Sequence, residues 1–114
     1  MAASTFQVLE VAHLLVDALC EPVTALSRRN RSLADQLLRA ASSVPLNIAE
    51  GNRRVGKDRL HIWRQAAGSA DEVRAALRVA ISWRHLRTAE VAPALECCDR
   101  VLAMLYRLTT VKPA

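Results

Sequence analysis

Apolar residues recur every three or four positions along nearly the whole chain, the spacing of a helix face. Over 4–26 the residues Phe6, Leu9, His13, Val16, Cys20 and Val23 form one such stripe, with Glu10, Asp17 and Glu21 lying elsewhere. A second stripe, Val8, Val11, Leu15 and Ala18, makes this helix apolar over more than one face. A bundle helix needs one face only, so the surplus predicts deep burial or a subunit interface. On this reading His13 is a packing residue on the apolar side and Cys20 a small buried hydrophobe. Pro22 should bend the helix near its end, because it removes a backbone donor.

Three more stretches carry the same period. Ser32 is a fitting N-cap, with Asp35 three residues on, for a helix over 33–51 with Leu37, Leu38, Ala41, Val44 and Ile48 on its apolar face. A third helix over 57–84 has its seam at Leu60, Trp63, Ala67, Ala70, Val73, Leu77, Ala80 and Ile81. Gly68 in its middle costs about 1 kcal/mol relative to Ala, which predicts a close neighbour. A fourth helix over 89–108 has Thr88 as N-cap and Pro93 near its true start. Its apolar positions, Val91, Leu95, Cys98, Leu102, Leu105 and Leu108, stand at near-heptad spacing, and 109–114 reads as a frayed tail. Four helices with short connections predict an all-α, antiparallel up-down-up-down four-helix bundle, one domain over 1–114.

Composition agrees with that class: 114 residues, 52% hydrophobic, three glycines and only four aromatic residues, so the core should be aliphatic. Charge adds an asymmetry. The net charge is +5, yet between Ala25 and Arg64 nine Lys/Arg face three acids, while the rest of the chain carries seven against eight. Such a concentration points to an anionic partner, usually nucleic acid, or serves solubility alone. The up-down topology sorts these cations to two ends. One gathers Arg28, Arg29, Arg31, Arg84, His85 and Arg87; the other gathers Arg53, Arg54, Lys57 and Arg59, near Arg107 and Lys112. Neither cluster contains an acidic residue in this reading.

Candidate chemistry is sparse. GNRRVGK (51–57) fits a phosphate-loop pattern, but Asp58 stands where Ser or Thr should hold magnesium, and a helix precedes it instead of a strand. Gly51 is instead expected to end the second helix in left-handed geometry. His13, His61 and His85 lie on different elements, Asp71 and Glu72 point to different sides, and Cys97-Cys98 has no sequence-level base. Three cysteines without a C-x-x-C suggest neither a disulfide framework nor zinc, and a reducing cytoplasm is the expected compartment. No enzyme, metal or cofactor is therefore expected, and no membrane span, since acids interrupt the first helix.

The second helix also carries a polar stripe: Arg39, Ser43, Asn47 and Glu50 at spacings of four, four and three. Pro45 should free the carbonyl of Ala41, and these polar side chains could compensate, with Glu72 or Ser69 on the third helix as partners. The alternative is a solvated face.

The run RAASSVPLNIAEG (39–51), the basic residues after it and AAGSADE (66–72) resemble the four-helix-bundle family of proteins encoded in intervening sequences of bacterial 23S ribosomal RNA. Arg59 departs from the aromatic residue usual there, and Pro93 is unusual. The resemblance implies assembly as a ring, with a homopentamer the expected form. It also implies kinship with the accessory variability determinants of diversity-generating retroelements, basic pentameric barrels that bind nucleic acid and a reverse transcriptase. The expected function is thus a non-enzymatic nucleic-acid-binding accessory protein, contacting RNA or DNA backbone through Arg53, Arg54, Lys57, Arg59, Arg28, Arg29, Arg31, Arg84 and Arg87. An oligomeric protein-interaction scaffold is the alternative.

Overall fold

The computed structural model describes residues 4–110, and these form four helices: α1 (Thr5–Ser27), α2 (Arg31–Asn52), α3 (Gly56–Ser82) and α4 (Thr88–Thr110). Lys112 lies outside the described residues. Each helix packs on its chain neighbours, and α1 also packs on α4, so the four close into a bundle of 49 × 24 × 19 Å. Among the described residues, no helix is long and apolar enough to cross a membrane.

Local chemistry sets the helix ends. Ser4 caps α1 through a reciprocal box, accepting from Gln7 N at 3.1 Å while Gln7 Oε1 accepts from Ser4 N at 3.0 Å. The cap of α2 is Asn30, whose Oδ1 accepts from Leu33 N at 3.0 Å; the expected cap, Ser32, already lies inside the helix. Asn competes as well as Ser for this position, and the chain turns two residues earlier. Thr88 is likewise the first helical residue of α4, with the Glu90 carboxylate reaching back to Arg87 N at 2.8 Å. Pro93 therefore sits inside α4, and Thr109 and Thr110 belong to the helix rather than to a tail.

The core is aliphatic, with Leu15, Leu19, Leu26, Leu37, Ile48, Leu77 and Leu105 fully buried and alanines between them. Each buried Leu or Ile contributes about 1.5–3 kcal/mol. Trp63 is the aromatic residue of this core; Phe6, Trp83 and Tyr106 stay exposed.

The structure reverses the weight of the two stripes on α1. Val8, Val11, Ala12, Leu15, Leu19, Pro22 and Leu26 are buried, whereas Phe6, His13 and Cys20 are exposed, with Leu9, Val16 and Val23 half-buried. His13 is thus no packing residue and Cys20 no buried one. Both stripes satisfy the helical period; the buried one holds no titratable side chain, so its burial costs no desolvated polar group. Leu38 on α2 is also exposed.

Candidate nucleic-acid interface

The two glycines expected to shape α2 and α3 act otherwise. Gly51 lies inside α2, and the left-handed residue of this junction is Gly56, at φ 59°. What Gly51 provides is space: a Cβ there would collide with the Trp63 indole. The indole lies against it and donates from Nε1 to Ile48 O at 3.4 Å. Gly68 has nothing within 4 Å of where a Cβ would stand, so no close neighbour accounts for it.

Around Trp63 the basic residues of the α2–α3 end are put to structural use. The Arg59 guanidinium stands over the Trp63 ring at 5.3 Å from its centroid. It also donates to Asn52 O at 3.2 Å and to Gly51 O at 3.1 Å, carbonyls at the end of α2, the second of which also accepts from Arg54 N at 3.0 Å. An arginine thus stands where an aromatic residue is usual, over the ring of another one. Arg54 pairs with Glu50 at 2.9 Å, which brings a carboxylate into a cluster read from sequence as free of acids. Asn52 Oδ1 is buried there with no partner among the described residues. Arg53 and Lys57 remain exposed and form no ion pair among the described residues.

At the other end the connections α1–α2 and α3–α4 meet. Arg28, Arg29, Arg84, His85 and Arg87 line an open concavity of about 680 Å³, together with Ala25, Leu86 and Glu90. Glu90 is the acid that the sequence reading left out; it stands 3.6 Å from Arg87, a loose and exposed pair. Arg28, Arg29, Arg31 and Arg84 have no ion-pair partner among the described residues. Four guanidinium groups around one concavity, against one carboxylate, make this the more positive of the two ends.

The polar stripe of α2 is divided. The hydroxyls of Ser43 and Ser69 are hydrogen-bonded, which ties α2 to α3, and Ser43 Oγ also donates to Ala40 O at 2.9 Å. Ser42 Oγ donates to Leu38 O at 2.8 Å, so the serines meet the carbonyls of Ala40 and Leu38, not that of Ala41. Glu50 turns to Arg54, while Arg39 and Glu72 are exposed and Asn47 half-buried, none of the three side chains bonded among the described residues. Ser43 faces α3, and the line of Leu38, Ser42 and Leu46 runs roughly a quarter-turn away around α2. With Phe6 and Leu14, also exposed, it leaves apolar surface uncovered on α1 and α2.

The cysteines are free: Cys20 exposed, Cys97 half-buried and Cys98 buried. Burial pushes the Cys98 thiol up to about 11, and its Sγ donates to Ala70 O at 3.0 Å. Burial also raises Cys97. Both thiols stay protonated at neutral pH, the unreactive form.

The model of the 23S rRNA-intervening sequence protein family matches residues 4–107. The chain belongs to this family. A solved structure with the same fold is a protein of unknown function from the S23 ribosomal protein family of Bacteroides thetaiotaomicron. It superposes with a TM-score of 0.81 at 15% identity, covering 91% of this chain and 99% of that one. Comparison with curated proteins finds no match. The runs 39–51 and 66–72 lie in α2 and α3, the two helices that Ser43 and Ser69 join. The resemblance read from sequence therefore rested on residues that build the fold. The concavity at the other end needed the tertiary structure, since its residues come from two connections some 55 positions apart in the chain.

Proposed function

We propose that this member of the 23S rRNA-intervening sequence family is a non-enzymatic accessory protein that binds the backbone of RNA or DNA. The observation that carries the reading is the convergence of Arg28, Arg29 and Arg84 on one concavity, none of them ion-paired among the described residues. Guanidinium groups that face phosphates position a nucleic acid without reading its bases, so binding is tolerant of sequence and falls steeply with salt. Fluorescence anisotropy with a labelled RNA hairpin and a labelled duplex DNA tests this. Both should bind at low salt, with affinity falling linearly on a log–log plot against salt; absence of binding at low salt defeats the reading.

Assembly belongs to the same proposal. The uncovered apolar surface on α1 and α2, with Phe6 and Leu46 each 68% exposed, supports a ring of identical chains, five in the form that the family resemblance implies. A ring repeats each cluster and multiplies weak phosphate contacts. Light scattering on a sizing column should report a multiple of one chain's mass, and Leu46→Glu should lower it. The same surface favours the second reading, a scaffold that docks a partner protein, a retroelement reverse transcriptase being the candidate. Capture of such a protein that survives both high salt and nuclease would decide for the scaffold.

A further inference from the structure

One residue at the α1–α2 end has a backbone at odds with its side chain. Arg84 sits at φ 59°, in the left-handed region that glycine enters freely and other residues enter at a cost. It follows Trp83, the C-cap of α3. His85 N donates to Ala80 O and Arg84 N to Ile81 O, both at 2.9 Å. That pair of bonds closes a helix in the motif whose left-handed position is usually glycine. An arginine kept at a glycine position asks for a reason in its side chain.

Its surroundings supply one. Arg84 lines the concavity shared with Arg28, Arg29 and Arg87; it also borders the groove between α3 and α4, which Arg78 lines and where Arg74 is paired with Asp71 and Asp99. A helix dipole accounts for a cation such as Arg28 at the C-cap of α1. It does not account for Arg31, which stands in the first turn of α2, where a cation is disfavoured and no acid is present.

We infer that this end of the bundle, with Arg84 at its centre, is the surface that takes up nucleic-acid phosphates, and that the α2–α3 end is not. The inference rests on the nucleic-acid reading above and goes on to assign the site. At the α2–α3 end Arg59 is held by Gly51 O, Asn52 O and the Trp63 ring, and Arg54 is offset by Glu50, so Arg53 and Lys57 are the cations of that cluster facing solvent unpaired among the described residues. At the α1–α2 end Arg28, Arg29 and Arg84 point into one open space and would surrender no carboxylate or carbonyl on binding.

Arg84→Gly separates the side chain from the backbone, because glycine relieves the left-handed conformation. The variant should melt at the wild-type temperature or above it, yet bind the RNA hairpin several-fold more weakly. Its log–log salt slope should be shallower by about 0.7–0.9, the change for one lost phosphate contact. Arg84→Lys should retain most of the affinity. Unchanged binding by Arg84→Gly overturns the inference, since the arginine would then be only a tolerated cap. The pair Arg53→Ala and Lys57→Ala, made together, should bind nearly as well as wild type. If that pair loses more affinity than Arg28→Ala with Arg29→Ala, the assignment of the site falls while nucleic-acid binding stands. A wild-type protein that binds neither RNA nor DNA at low salt removes both.

Discussion

At the α2–α3 end, Arg59 lies on Trp63 and donates to two carbonyls, and Arg54 holds Glu50; at the α1–α2 end, Arg28, Arg29 and Arg84 stand around open space. Both clusters look alike as text, a few arginines beside a helix boundary. Their difference is one of partners. An arginine held across carbonyls and a ring, or offset by a carboxylate, must turn from those partners to aim its whole fork at a phosphate, and each such contact contributes about 0.3–1.5 kcal/mol. An arginine facing water gives up only water.

The largest effect is expected at Trp63. Trp63→Ala removes the one buried aromatic residue of the core and the cover over Gly51, and should cost about 3–5 kcal/mol in urea unfolding. Gly51→Ala, which pushes a methyl group into the same indole, should cost about 1–3 kcal/mol. Where each variant remains folded, it should bind nucleic acid as wild type does; a specific loss of binding would move the interface to this end.

A smaller effect is expected at Arg59. Arg59→Ala removes the side-chain donor to Asn52 O and one of the two donors to Gly51 O, and uncovers Trp63, for a loss of about 1–2 kcal/mol at the partly exposed end of α2. Thermal melting would register it as a lower midpoint. A drop in affinity without a drop in stability would mean that Arg59 serves a ligand after all.

The smallest effect should come from Arg54→Ala. Both partners of the Arg54–Glu50 pair are about half exposed, 47% and 46%, one helical turn apart. Pairs of that kind contribute about 0.3–0.5 kcal/mol. Unfolding should barely change, and a larger change would show that the pair supports the Trp63 junction beneath it.

Legibility followed the same division. Helix number and type could be read because the apolar period runs through every stretch, and the family motif could be read because 39–51 and 66–72 are distinctive runs. The α1 stripe could not be ranked from spacing, as two stripes satisfy the period and only the positions of α2 and α4 choose between them. Gly51 looked like a helix end because glycine often is one; its use as a seat for Trp63, twelve residues on, has no local signal. Arg84 offered even less, since no composition or spacing marks an arginine with φ 59°.

By itself, then, the chain's sequence determined four amphipathic helices, their antiparallel order and a basic middle, because these depend on period, connection length and side-chain charge. The tertiary structure alone decided which cations are engaged and which are open. Hydrogen bonding to Gly51 O or convergence on one concavity depends on positions in space, and residues as far apart as Arg28 and Arg84 become neighbours only when the bundle closes.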